Sequence, residues 1–160
     1  MGIVGELAIA VQAGVPVLLW GAPGVGKTAT IKSIAGALEL LCEPVIASVR
    51  EPADFAGLPI IREGGVTMEA PAWARRLARA GRGLLFLDEI STAPPAVQAA
   101  LLRVVLERVV GDLELPNRAA IVAAANPPEQ AAGGWDLSAT ISRRHDEEAV
   151  SRLAPSGAAR

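Results

Sequence analysis

The chain has 160 residues, enough for one domain that buries its own core. Hydrophobic residues make up 51% of it, which excludes disorder over most of its length. A net charge of -2 excludes a basic field that would draw it to nucleic acid.

In chain order, Glu6–Ala13 reads as a short helix ended by Gly14 and Pro16, and Pro16–Trp20 as a strand. Residues 21–26 form a loop. Lys27–Leu41 reads as a helix with Ile31, Ile34, Ala35 and Leu38 on one face. Pro44–Val49 is a second strand. Glu51–Val66, rich in glycine and proline, is a loop with room for a hairpin. Ala72–Ala80 is a helix, stopped by Gly81 and Gly83, and Leu84–Leu87 is a third strand. Pro94 and Pro95 mark the start of a helix that Ser91 or Thr92 could cap, running to about Val110 and closed by Gly111. Ala119–Ala125 is a fourth strand, ended by Asn126. After Ser138 the pattern weakens. Strands alternating with helices predict an α/β fold with a parallel sheet and right-handed crossovers.

The strongest chemical signal is Gly21-Ala22-Pro23-Gly24-Val25-Gly26-Lys27-Thr28, which matches G-x-x-x-x-G-K-[ST] between a predicted strand and a predicted helix. Its glycines let backbone N–H groups turn inward onto phosphate oxygens, and the helix that follows adds the positive end of its dipole. Lys27 is expected to reach the β- and γ-phosphates of ATP, and Thr28 to ligate Mg²⁺. The competing reading is a glycine-rich turn that matches by chance.

Leu84-Leu85-Phe86-Leu87-Asp88-Glu89 describes a buried strand that delivers two carboxylates at its C-terminal end, where open α/β sheets bind ligands. Asp88 is expected to hold Mg²⁺ and Glu89 to polarise the attacking water. An acidic cap before Ser91 is the competing reading. Asn126 is expected beside Asp88, holding the lytic water or a γ-phosphate oxygen; otherwise it is a turn residue before two prolines. Arg75, Arg76, Arg79 and Arg82 read as a solvated face, with a subunit contact as the alternative.

Taken together, these motifs and their spacing resemble an AAA+ ATPase, a P-loop NTPase with a three-layer parallel sheet core. The closer resemblance is to the MoxR-like branch, grouped with dynein-related AAA domains. It is carried by Glu51–Pro59, Pro71-Ala72-Trp73-Ala74 and Ala125-Asn126-Pro127-Pro128 leading to Gly134-Trp135-Asp136-Leu137-Ser138. The resemblance places the AAA+ core at 1–145 and a weakly structured tail at 146–160. It implies a homo-oligomer, a hexameric ring in the complete protein, with ATP between subunits. It also implies chaperone-like remodelling beside a von Willebrand factor A domain partner. By register Arg144 takes the place of the arginine finger, with Arg143 where the branch has Asn and His145 where it has Phe. The resemblance leads one to expect a fifth strand and then a helical lid. His145-Asp146-Glu147-Glu148 does not read as a buried strand and the sequence stops at Arg160, so the lid is expected to be absent and the fifth strand absent or degraded. A fragment, a frameshifted product and a degenerate paralogue all fit that expectation.

The expected activity is therefore ATP hydrolysis, slow for this chain by itself. Two alternatives stand beside it: a nucleotide-binding module with little turnover, and a P-loop kinase for a small molecule. Cys42, the one cysteine, has no partner for a disulfide and fits a reduced cytoplasmic compartment. The sequence shows no signal-peptide pattern and no run long enough to cross a bilayer, so no membrane partner is expected.

Overall fold

A computed structural model describes residues 2–127 and 150–152. Helix α1 covers Ile3–Ala13 and ends at Gly14, which takes a left-handed conformation. Strand β1, Val17–Trp20, leads into the loop and helix α2, Lys27–Ala37. The chain then turns through Glu39, also left-handed, with the Leu40 N–H returning to the Ala35 carbonyl. That turn ends α2 four residues short of the expected Leu41. Strand β2 begins accordingly early, at Cys42, and runs to Ile46, followed by a 3₁₀ turn over Ala47–Val49. Pro44 is tolerated within β2 because this strand lies at the sheet edge.

The predicted loop holds a short helix α3, Ala53–Ala56, and an antiparallel hairpin of β3, Leu58–Arg62, with β4, Gly65–Glu69. Helix α4, Ala72–Ala80, leads into β5, Arg82–Asp88. A 3₁₀ turn, Ile90–Thr92, precedes α5, Pro95–Glu107, the last helix among the described residues. Two short strands, β6 at Val109–Val110 and β7 at Leu113–Glu114, form a second hairpin, and β8 covers Arg118–Ala125.

The expected helix through Val110 thus stops at Glu107. Arg108 turns left-handed there and donates through Nη2 to the carbonyls of Pro116 and Ala119, and Val110 and Leu115 are buried. Ser91 and Thr92 do not cap α5 either; Pro94 occupies the N-cap position.

The main sheet has the order β2-β5-β8-β1-β9, with every pairing parallel. Side chains alternate between its faces. Leu18, Leu85, Leu87, Ile121 and Ala123 join Trp73, Leu77, Val97 and Leu101 of α4 and α5 in one core. Val17, Leu19, Leu84, Phe86, Val122 and Ala124 join Leu7, Val11, Ile31 and Ile34 of α1 and α2 in the other. Helices on both faces of a parallel sheet make the three-layer α/β core that the sequence predicts.

The fifth strand, expected to be absent or degraded, is present as three residues, which corrects only the expectation of its absence. Val150–Arg152 forms β9 and pairs with β1, Leu18 opposite Val150 and Trp20 opposite Arg152. The edge of β1 offers unpaired N–H and C=O groups, and backbone hydrogen bonding needs no apolar pattern to fill them. Residues 128–149, with Arg143, Arg144 and His145, lie outside the described residues.

Gly83 does not stop α4; Gly81 does that, donating its N–H to the Leu77 and Ala78 carbonyls. Gly83 instead lies within β5 where α4 packs closest. A Cβ there would sit 2.6 Å from Leu77 Cδ2 and 2.8 Å from the Leu41 carbonyl oxygen. Gly83→Ala is therefore expected to destabilise the fold by about 1–3 kcal/mol, as overpacking does. A denaturant midpoint equal to the parent's would contradict that packing.

Candidate nucleotide site

The carboxyl edge of the sheet gathers the sequence-predicted residues. Gly21 follows β1, and its N–H bonds the Ala125 carbonyl at 3.2 Å, tying the loop to the end of β8. Gly24 and Gly26 have φ of 79° and 85°, values that L side chains rarely adopt, so this loop path requires glycine. Pro23, Gly24, Val25 and Gly26 are exposed, whereas Gly21 is buried. Gly26 is the N-cap of α2 and supplies no side-chain cap. The helix therefore directs N–H groups and positive dipole toward the loop.

Lys27, only 8% exposed, sends its ammonium back under the loop. Its Nζ donates to the Gly21 carbonyl at 2.6 Å, the Ala22 carbonyl at 3.3 Å and Asn126 Oδ1 at 2.9 Å. Burial pushes the Lys27 pKa below the ordinary lysine value, and Asp88 and then Glu89 pull it partly back. Thr28 Oγ1 donates to Asp88 Oδ2 at 2.8 Å, although the two residues are 60 apart in sequence. Asp88 Oδ1 accepts the Glu89 N–H at 2.9 Å.

Glu89 is exposed and takes a left-handed backbone, φ 56° and ψ 37°, uncommon for a residue other than glycine. The bend turns the chain out of the β5 direction just past Asp88. Thr92 Oγ1 donates to the Glu89 carbonyl at 3.0 Å and helps to close it.

Two serines that sequence reasoning missed belong to this cluster. Ser48, in the turn after β2, donates its hydroxyl to Glu89 Oε2. Ser91, 4% exposed, accepts the Asn126 N–H on Oγ at 3.0 Å. The available signal for Ser48 was its place: Ile46 pairs with Asp88, so a polar residue two positions later lies at the carboxyl edge beside Glu89. The Asn126 side chain thus meets Lys27, and its backbone meets the turn after Glu89.

The four arginines of α4 and its exit are exposed, and three of them have partners within the chain. Arg76 grips buried Glu43 through two bonds of 2.6 and 2.8 Å, Arg75 pairs with Glu69, and Arg82 donates to the Glu39 carbonyl. No helix among the described residues is long and apolar enough to cross a membrane.

Comparison with known proteins bears on this arrangement. Residues 16–145 match the family described as ATPase family associated with various cellular activities (AAA). The chain is 38% identical over 106 residues to the transcriptional regulatory protein XylR of Pseudomonas putida, spanning 61% of this chain and 19% of that protein. It is 30% identical over 121 residues to the pathogenicity locus probable regulatory protein WtsA of Pantoea stewartii subsp. stewartii, spanning 71% of this chain and 38% of that one. Among solved structures, a candidate ATPase from Cytophaga hutchinsonii superposes with a TM-score of 0.62 at 27% identity, covering 88% of this chain and 43% of the other. The chain spans less than half the length of each of these proteins.

Proposed function

The chain belongs to the AAA family of ATPases, and from that premise we propose that it binds ATP with magnesium and hydrolyses it. The observation that carries this reading is the convergence of Lys27, Thr28, Asp88 and Asn126 at one edge of the sheet, through bonds of 2.8 and 2.9 Å. Residues 21–28 wrap the phosphates with backbone N–H groups. Lys27 supplies the positive charge for the β- and γ-phosphates.

The Thr28 hydroxyl and the Asp88 carboxylate, 2.8 Å apart, are hard oxygen donors of the kind magnesium takes, so these residues fit the ion. Magnesium, when bound, would neutralise charge on the phosphate oxygens. Glu89 polarises the attacking water as general base, and Asn126 orients that water or a γ-phosphate oxygen. Nothing in this set calls for an acceptor other than water, which favours hydrolysis over a kinase.

Our reading extends to the complete protein as a MoxR-like, chaperone-like remodeller in the cytoplasm. There Arg144 would act as the finger on a neighbour's nucleotide in a hexameric ring, beside a von Willebrand factor A domain partner. Turnover by the isolated chain is expected to be slow. The alternative, a binding module without turnover, rested on a missing lid and a missing fifth strand; β9 weakens the second ground.

The test is phosphate release from ATP and magnesium with no acceptor added. Release above a protein-free control, lost on chelation with EDTA, is the expected result. ATP binding without release would favour the non-hydrolysing module, and no binding at all would refute both readings.

A further inference from the structure

We infer that Ser91 is a positioning residue for the hydrolytic step, acting through Asn126; this rests on the reading that Asn126 faces the terminal phosphate. Strand β8 runs to Ala125, but its pairing with β5 stops at Ala123, opposite Leu87. Beyond that point β5 bends away at Glu89. On the other side, the Ala125 carbonyl is held by the Gly21 N–H.

The Asn126 N–H is instead taken by the buried Ser91 hydroxyl oxygen at 3.0 Å. A backbone fixed on both sides sets the direction of the side chain, and Asn126 presents Oδ1 to Lys27 Nζ at 2.9 Å. The turn that holds Asn126 is also the turn that bends Glu89, whose carbonyl accepts the Thr92 hydroxyl. One 3₁₀ turn therefore carries the water-polarising carboxylate and fixes the amide across from it. Ser91 acts through its bond to the Asn126 N–H, keeping these two groups in register.

The full chain provides the test, with Ser91→Ala, Ser91→Thr, Asn126→Ala and the double variant Ser91→Ala/Asn126→Ala. Ser91→Ala should lower kcat about three- to tenfold, the range one hydrogen bond supplies, with KM for ATP within about twofold of the parent. Ser91→Thr, which keeps the hydroxyl, should restore most of the rate. The double variant should be no slower than Asn126→Ala alone, because both changes remove one function. In nucleotide-free protein, hydrogen exchange at the Asn126 amide should be about tenfold faster in Ser91→Ala, with Ala123–Ala125 unchanged.

Independent, multiplying losses in the double variant would overturn the inference, as would unchanged exchange at Asn126. An unaltered kcat in Asn126→Ala would overturn the reading of Asn126 itself and take this inference with it. If Ser91→Ala does not fold, Ser91→Cys serves in its place, since sulfur is a weak acceptor. If parent turnover is too slow to follow, preference for a non-hydrolysable ATP analogue over ADP replaces kcat in the same cycle.

Discussion

Glu89→Gln is expected to abolish phosphate release while ATP and magnesium binding stay near the parent level. Glutamine keeps the size of the side chain and removes the charge that polarises water, so the loss falls on the chemical step. The expected decrease is about a hundredfold or more, as for loss of a general base. The surrounding geometry isolates the effect. Lys27 bonds Gly21, Ala22 and Asn126, and Thr28 bonds Asp88, so no hydrogen bond within the phosphate-facing group uses the Glu89 side chain. The Glu89 side chain accepts the Ser48 hydroxyl, and a glutamine carbonyl can still do so. Phosphate release and titration with a fluorescent ATP analogue, run on the same preparation, check the two halves. Release at the parent rate would make Glu89 a feature of the turn and not a catalyst.

Lys27→Ala is expected to abolish ATP binding. Lys27 is 8% exposed as a residue and its Nζ is partly buried, so phosphate meets a charge that solvent screens less than at an open surface. Removing one partner of such a charge pair costs about 2–5 kcal/mol, enough to put binding beyond titration at micromolar protein. The same burial fixes the sign of a pH effect. Burial lowers the Lys27 pKa, while bound phosphate would raise it, so binding takes up protons on the alkaline side. Affinity should therefore hold steady below the lowered pKa and fall as pH rises through it. Titration calorimetry in two buffers of different ionisation enthalpy reads that proton uptake directly. Unchanged affinity in Lys27→Ala would mean that this loop is not the nucleotide site.

What could be read from the sequence was what the chain must do locally. Gly24 and Gly26 are required by backbone angles at their own positions, so the loop declares itself in the residues that form it. The apolar runs of β1, β5 and β8 are visible because a strand buried on both faces has few polar residues to interrupt it. Once those strands are parallel, Asp88 and Asn126 fall at the same edge as Lys27 by topology alone.

Tertiary structure decided the rest, because those features depend on distant partners. Ser48 and Ser91 look like ordinary turn residues until β2, β5 and β8 lie side by side and bring their hydroxyls to Glu89 and Asn126. Gly83 reads as a helix stop, yet its lack of a side chain is set by Leu77 and the Leu41 backbone. The end of α5 depends on Arg108 reaching Pro116 and Ala119, and β9 exists because β1 has an open edge to fill. Conformational preferences act within a few residues, whereas these contacts are specified only when the sheet has assembled and fixed which segments meet.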